Sequence, residues 1–260
     1  MREQGIFGKV TPDRAAQQVV HHIEVLVLEG VLRNGDKLPG ERDLAFEMNV
    51  SRPVLRDALN ILETKGIIEK RHGQGSVVAD VIGSVFSPPI EGLMREYPRT
   101  RVDFVEYRRG VEGWAASLAA QRAGEEDILI LKDVFSRMEG AHQQENVEEE
   151  AKLDIEFHIT VADCSHNIIL IHSLRSCYQL LSDNVFLNRS LIYDFPHARC
   201  ELFELHRVIF EAIIAHDATA ARAASDAHMD YIDEMMQDVD REALWRNNAA
   251  LRMRNLERCS

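Results

Sequence analysis

Two arginines in the first 80 residues have the spacing of a helix that could read nucleic acid. Arg52 and Arg56 are four residues apart, so an α-helix places both on one face. Leu55, Leu59 and Leu62 mark another face, which is expected to pack on a domain and leave the arginines outside. An arginine can bind a guanine edge with two hydrogen bonds or hold a phosphate. The alternative is that both arginines are solvated surface charges.

A second set of residues, in the C-terminal half, has the composition of a metal site. Asp154 and His158 are also four residues apart and share a helix face, and His206 and His228 lie on later predicted helices. One carboxylate and three imidazoles can bind a divalent cation such as zinc, nickel or manganese, with coordination positions open to a small anion. Spacing alone leaves two alternatives, a hydrogen-bonded surface pair at 154 and 158 and a half-buried core histidine at 206. Five further histidines are assigned to the surface or to helix caps: His142, His166, His172, His197 and His216.

The elements around the arginine pair follow the order of a winged helix-turn-helix. Periodicity and turn residues predict a helix at 13–29, a short helix within 38–45, a tight turn at 48–51, a helix ending near residue 65, and short strands at 67–71 and 76–78. Ser51 can cap the third helix, and Pro53 suits its first turn. Two helices, a turn, a third helix and a glycine-tipped hairpin together indicate this DNA-binding motif.

Other residues of the same region complete a predicted DNA-binding set. Arg42, on the short second helix, is placed to touch phosphates or base edges from the wall of the groove. His72, Gly73 and Gly75 form a hairpin tip small enough to approach a minor groove, where backbone N–H groups can also meet phosphates. Ser51, at the start of the third helix, belongs to the same set.

The remainder of the chain has a helical pattern almost throughout. Beyond residue 100 apolar residues recur at three- and four-residue steps, and proline is absent except at Pro196. The later stripes cover 126–141, 150–164, 168–191, 199–215 and 218–236, and the first consists of Val102, Val105, Val111, Trp114, Leu118 and Ala119. Helices joined by short turns predict an antiparallel bundle.

The expected fold class is therefore mainly α. It consists of an N-terminal winged helix-turn-helix with a small β-hairpin wing, followed by a C-terminal antiparallel all-α bundle. The predicted boundaries are 10–80 for the DNA-binding domain, 81–100 for a proline-containing linker, 101–240 for the helical domain with the candidate metal ligands, and 241–260 for a tail that is either a last helix or a frayed end.

Charge and composition restrict the class of protein. The 260 residues carry a net charge of −13, yet residues 1–80 hold 11 basic against 12 acidic side chains, so the acidity lies downstream and a local basic face remains possible. No stretch approaches the roughly 18 apolar residues of a membrane span, and the N-terminus lacks the apolar core of a secretory signal. Four cysteines are scattered without a Cys-x-x-Cys pair, which favours a reducing cytoplasm.

Four segments of the N-terminal region resemble the DNA-binding domain of GntR-family bacterial transcription regulators. They are Leu38–Ala45, Val50–Leu59, Leu62–Ile68 and Arg71–Ser76. The resemblance implies that Arg42, Arg52 and Arg56 contact DNA and that His72 and Gly73 make the wing contact.

The helical remainder is similar to the effector domain, called FCD, of the FadR-type subgroup. In members of this subgroup that bind metal, one aspartate and three histidines hold the ion, and Asp154, His158, His206 and His228 match them. The resemblance also implies an arginine on the first helix of the domain that meets a ligand carboxylate. Arg108 stands at that position, Arg109 is its rival, and a surface salt bridge is the alternative. The resemblance adds Asn184 to the ligand cavity.

Segments 162–170 and 182–185 look most like members that govern lactate, glycolate or pyruvate metabolism. A metal ion with open positions and an arginine suits such small hydroxy- or keto-acids. The function expected is that of a metabolite-responsive regulator, a repressor that binds a palindromic operator as a homodimer in the cytoplasm. The alternative is a metal-dependent enzyme that uses the Asp/His set, although no motif supplies the general acid or base that it needs.

Overall fold

A computed structural model describes most of the chain. It covers residues 14–71, 75–81, 92–94, 96–97, 99–182, 195 and 197–259. The chain folds into two compact units, Met1–Ser84 and Val85–Ser260.

The first unit contains three helices and a two-stranded antiparallel sheet. Its elements are α1 (Arg14–Leu28), α2 (Glu41–Glu47), α3 (Arg52–Thr64), β1 (Ile68–Arg71) and β2 (Gly75–Val78). Ile68 is paired with Val78 and Arg71 with Gly75. The core lies where the apolar faces of α1 and α3 meet, together with Leu38 and Leu44. This order confirms the predicted winged helix-turn-helix.

The start of α3 differs from the prediction in one detail. Ser51 is the N-cap residue, but its side chain makes no capping hydrogen bond. A serine at this position normally accepts from the backbone N–H of the second or third helical residue. The second is Pro53, which has no N–H, so one of the two donors is missing. Ser51 thus occupies the predicted cap position without the capping hydrogen bond, and its side chain is exposed.

The second unit is an all-α bundle in the described residues. Its helices are α4 (Arg99–Arg122), α5 (Glu125–Gln143), α6 (Val147–Cys164), α7 (Ile168–Ser182), α8 (Ala198–Ile214) and α9 (Ala218–Cys259). The largest core cluster joins α4, α5, α6, α8 and α9 around Leu131, Phe157 and Ile213, which are all fully buried. The predicted class, mainly α with a small wing, is confirmed.

Two helices differ in extent from the apolar stripes. The stripe at 168–191 corresponds to α7, which ends at Ser182, and the rest of that stripe lies outside the described residues. The expected tail at 241–260 is not a separate element, because α9 runs without a break through 42 residues to Cys259.

The packing face of α4 was predicted only in part, since Val105, Leu118 and Ala119 of the predicted stripe are buried. Val102 and Trp114 belong to its apolar stripe, yet they are 56% and 49% exposed. The helix instead turns Arg108 and Glu112 toward the bundle, where both side chains are buried. A charged pair thus takes core positions that the sequence pattern reserves for apolar residues, because these two groups neutralise each other there.

Two leucines on α5 allow a matched test of the bundle core. Leu131 is fully buried, whereas Leu129 is 65% exposed. Leu131→Ala is expected to lower the free energy of unfolding by about 3 kcal/mol, since it removes buried methyl groups and leaves a cavity. Leu129→Ala is expected to change it by less than about 0.5 kcal/mol. Urea denaturation followed by far-UV circular dichroism measures both, and equal losses would contradict the packing described.

Candidate DNA-binding surface and metal centre

The arginine face of α3 points away from the core of its unit. Leu55, Leu59 and Leu62 are no more than 3% exposed, whereas Arg52 and Arg56 are exposed. The apolar face therefore fixes the helix on α1, and both guanidinium groups are accessible to a DNA duplex.

An acidic residue holds the second of these arginines. Arg56 Nη2 donates to Glu41 Oε2 at 2.8 Å, which ties α3 to the start of α2. This hydrogen bond lowers the pKa of Glu41 and raises the pKa of Arg56. Arg42 lies beside Glu41 on α2, is exposed, and donates from Nε to Asp43 at 3.1 Å.

The described residues of the wing stop at Arg71, where β1 ends, and begin again at Gly75, the first residue of β2. Gly75 is exposed and has a φ of +84°, a left-handed conformation that favours glycine. His72 and Gly73, which were predicted to contact DNA, lie outside the described residues, as does the predicted cavity residue Asn184.

The four predicted metal ligands come together inside the bundle. Asp154 and His158 lie on α6, His206 on α8 and His228 on α9, and each is at most 5% exposed. Each offers one ligand atom, and the four atoms lie within 4.8 Å of one another. The alternative of a surface pair at 154 and 158 is therefore wrong.

Hydrogen bonds at the far side of two imidazoles determine which atoms face the centre. His206 Nδ1 lies 2.7 Å from the carbonyl oxygen of Leu202, and since a carbonyl can only accept, Nδ1 carries the proton. His158 Nδ1 lies 3.2 Å from a carboxylate oxygen of Glu112. Burial, followed by the neighbouring His206 and Arg108, holds the pKa of His158 well below its ordinary value, which favours the neutral ring.

The side-chain atoms that face the centre lie close together. His158 Nε2 and His206 Nε2 are 3.1 Å apart, and His206 Nε2 is 3.1 Å from Asp154 Oδ1. Imidazole nitrogens and a carboxylate oxygen gathered in this way are the donor types that a divalent transition-metal ion binds in proteins. Phe157 closes the site on one side, with its ring edge-on to both imidazoles. The donor set and its geometry therefore fit a divalent cation.

The two candidate effector arginines have different surroundings. Arg108 is 3% exposed and donates from Nε to Glu112 at 2.7 Å and from Nη2 to the Tyr178 hydroxyl at 3.1 Å. Burial by itself would lower the pKa of Arg108, but Glu112 and Tyr178 more than offset it and raise the pKa. Arg109 is more exposed and pairs with Asp230 on α9. Of these two arginines, Arg108 is the one beside the imidazole cluster. It bonds to Tyr178, whose ring stacks on His158 with 5.4 Å between the ring centroids.

A further polar cluster borders the same centre and was missed in the sequence. Arg199 Nε donates to both carboxylate oxygens of Glu150 at 2.8 and 3.0 Å, and the pair lines a small pocket with Asp154 and His206. His142 lines this pocket too and stacks on Phe203 at 4.4 Å, so its assignment to the surface or a cap was wrong. Glu112 and Tyr178 were also missed. The one available signal was the four-residue spacing between Arg108 and Glu112, which suits an ion pair.

Comparison with known proteins covers both units. Residues 15–78 match the family described as bacterial regulatory proteins, gntR family, and residues 103–231 match the FCD domain. The Glc operon transcriptional activator of Escherichia coli is 30% identical over 227 residues, which are 86% of this chain and 89% of that protein. The chain belongs to the GntR family.

Other relatives agree with this assignment. An Escherichia coli protein provisionally named as the L-lactate dehydrogenase operon regulatory protein is 32% identical over 237 residues, 90% of each chain. The structure of Streptococcus agalactiae GntR is 27% identical, covers 84% of this chain and 98% of its own, and superposes with a TM-score of 0.53.

The family assignment decides between the two functions considered. This GntR-family protein is a DNA-binding transcription regulator with a winged helix and an FCD effector domain of the FadR type, and it is not an enzyme. The resemblance found in the sequence is thereby confirmed. Within the described residues, no helix is both long enough and apolar enough to span a membrane.

Proposed function

We propose that this regulator responds to a small carboxylic acid, which binds in the helical unit through a divalent metal ion and changes the affinity for a palindromic operator. The observation that supports this proposal most strongly is the buried convergence of four ligand atoms within 4.8 Å, beside a buried arginine. We also propose that the protein acts as a homodimer, because a palindromic site requires two copies of the winged helix. The proposed location is the cytoplasm, where the operator DNA lies.

The proposed metal ligands are Asp154, His158, His206 and His228. One carboxylate and three imidazoles without a thiolate suit zinc, and also nickel or manganese. When bound, the ion supplies a Lewis-acidic position to a carboxylate and to a hydroxyl or keto oxygen next to it. The Leu202 carbonyl fixes the orientation of one of these donors, the His206 imidazole.

The charges at this centre favour an anionic effector. Asp154 and Glu112 are acidic and buried, and Arg108 is the basic group beside them. With a divalent cation these groups sum to one positive charge, which a monocarboxylate neutralises. A buried, uncompensated charge is costly, so neutralisation favours binding.

Arg108 is the group proposed to hold the effector carboxylate. Its Nε donates to Glu112 and its Nη2 to the Tyr178 hydroxyl, which hold the guanidinium beside the imidazole cluster. The relative named for an L-lactate dehydrogenase operon supports hydroxy- and keto-acids as the effector class. L-lactate, glycolate and pyruvate are the acids to test first.

The DNA-binding residues proposed are Arg42, Ser51, Arg52, Arg56 and Gly75, with His72 and Gly73 at the tip of the wing. The described members of this set are exposed, and all of them belong to the first unit. In chain order, the turn and α3 come between Arg42 and the wing. Ser51 is suited to a phosphate or base contact because its hydroxyl makes no capping bond.

We expect the effector to weaken operator binding by 5- to 150-fold, the usual range of allosteric coupling. The operator is first selected from a random duplex pool, and its affinity for the full chain is then measured by fluorescence anisotropy with Zn²⁺ and each acid. Arg108→Met is expected to retain operator binding and to lose the response to the acid.

The adjacent arginine provides the matched control. Arg109→Met removes an exposed group paired with Asp230 and is expected to respond to the acid as the wild type does. A wild-type operator affinity that no small carboxylic acid changes would contradict the proposed regulation. A tighter operator complex with the acid would keep the effector site and reverse the sign, making the acid a co-repressor or co-activator.

A further inference from the structure

One carboxylate contacts both halves of the proposed effector site. Glu112 Oε1 accepts from Arg108 Nε at 2.7 Å, and Glu112 Oε2 lies 3.2 Å from His158 Nδ1. Glu112 is 4% exposed, so solvent does not screen either interaction. The proposed effector arginine and a proposed metal ligand therefore share this one acidic group.

The two contacts of Glu112 are unequal. The contact with Arg108 is a formed, charge-assisted hydrogen bond, whereas Oε2 has no formed hydrogen bond at its angle to His158. A small rotation of the carboxylate or the ring aligns it with His158. A carboxylate that accepts from the outer nitrogen of a ligating imidazole fixes the orientation of the ring and makes it a stronger donor to a metal.

The surrounding residues keep these partners in contact. Tyr178 accepts from Arg108 Nη2 at 3.1 Å, and its ring stacks on His158 with 15° between the planes. Arg108 and Glu112 are one helical turn apart on α4, so their side chains lie on the same face of that helix. Side chains from α4, α6 and α7 thus form one connected network of contacts around the site.

We propose that Glu112 is a positioning residue that couples metal binding to effector binding. The inference rests on the proposed function. Arg108 holds the carboxylate through Oε1 in an orientation that leaves Oε2 beside His158 without a hydrogen bond. When an effector carboxylate neutralises Arg108, Glu112 can align with His158 and strengthen its donation to the ion. By linkage, bound metal then favours the effector to the same extent.

The test uses Zn²⁺ alone with the full chain, in competition with a chromophoric chelator. Glu112→Gln keeps the volume and removes the charge, and we expect it to lower the affinity for Zn²⁺ by about 10- to 100-fold. Arg108→Met releases Glu112 for His158 and is expected to raise that affinity. In the Glu112→Gln background the effect of Arg108→Met is expected to disappear.

This double-mutant cycle separates coupling through Glu112 from a direct effect of the Arg108 charge on the ion. If Arg108→Met has the same effect in both backgrounds, Arg108 acts on the ion directly by its charge, and the proposal is overturned. Glu112→Gln with the wild-type affinity also overturns it. Asp163→Asn alters an aspartate on α6 that pairs with Arg175 outside the cluster, and as the control it is expected to leave the affinity unchanged.

Two additions keep the result interpretable. Glu112→Asp retains the charge but has a shorter side chain, and we expect it to bind Zn²⁺ more tightly than Glu112→Gln does. If Glu112 only filled space, Glu112→Gln, which keeps the volume, would bind Zn²⁺ better than Glu112→Asp. The absorption spectrum of the Co²⁺ form reports whether the ligand set is intact in each variant. A wild type that binds neither ion overturns the metal proposal itself, whereas normal wild-type binding with no effect at Glu112 overturns only the coupling.

Discussion

Asp154→Ala is expected to lower the affinity for Zn²⁺ by more than about 100-fold, since loss of an outer hydrogen-bonding partner alone typically costs 10- to 100-fold. His206→Ala is expected to have a similar effect. Both residues place a ligand atom within the buried cluster, and among its four described ligands Asp154 is the carboxylate. Metal content after dialysis against trace Zn²⁺, measured by inductively coupled plasma mass spectrometry, gives the result directly.

A second aspartate on α6 controls for changes in the helix. Asp163 pairs with Arg175 and lies outside the cluster, so Asp163→Ala is expected to keep its metal. Thermal unfolding gives a second readout, because an ion at 100 times its dissociation constant stabilises the folded state by about 2.7 kcal/mol. The wild type and Asp163→Ala should show this gain and Asp154→Ala should not. Unchanged metal content in both Asp154→Ala and His206→Ala would remove the assignment.

Arg52→Ala combined with Arg56→Ala is expected to reduce operator affinity by more than about 100-fold, because each well-formed contact to a base contributes about 1–3 kcal/mol. Both side chains are exposed on the face of α3 opposite to its buried leucines. The fold should persist, since neither arginine contributes to the core. Anisotropy with the selected operator measures the loss, and sedimentation confirms that the variant keeps the mass of the wild type.

Salt dependence tells base contacts from phosphate contacts. If the arginines read bases, the affinity for unrelated DNA changes little. If they hold phosphates, both affinities fall and the slope of log K against log salt decreases by about 0.9 per lost contact. Lys65→Ala is the control, because Lys65 lies at the other end of α3 and pairs with Glu24 on α1. A double variant that binds the operator as the wild type does would refute the DNA-binding surface.

The contact between Glu41 and Arg56 is a feature of the DNA-binding surface that the sequence did not predict. The four-residue spacing of Arg52 and Arg56 predicts a shared face, but it does not reveal that Glu41, fifteen residues earlier, holds one of them. That contact depends on how α2 packs against α3. Local periodicity contains no information about the angle between two helices, so only the folded unit assigns Arg56 its partner.

The helical unit shows a similar limit on α4. Sequence patterns assume that apolar residues are buried and charged residues are exposed. On that assumption Trp114 was placed on the packing face of α4, although its side chain is exposed. The burial of Arg108 and Glu112 depends on the Tyr178 hydroxyl, seventy residues from Arg108. A burial pattern that depends on so distant a partner cannot be derived from the spacing within one helix.

The sequence by itself determined the order of the elements, the family and the residue types of both sites. These are local properties, because helix periodicity, turn residues and motif spacing act over a few residues. Asp154 and His158 had to share a face of α6 for the same reason. Only the tertiary structure decided that this face meets His206 and His228, that Glu112 and Tyr178 stand behind the site, and that Arg108 rather than Arg109 borders it. Convergence of three helices is set by the packing of the whole core, and the cost of burying each charge depends on the partners that this packing supplies.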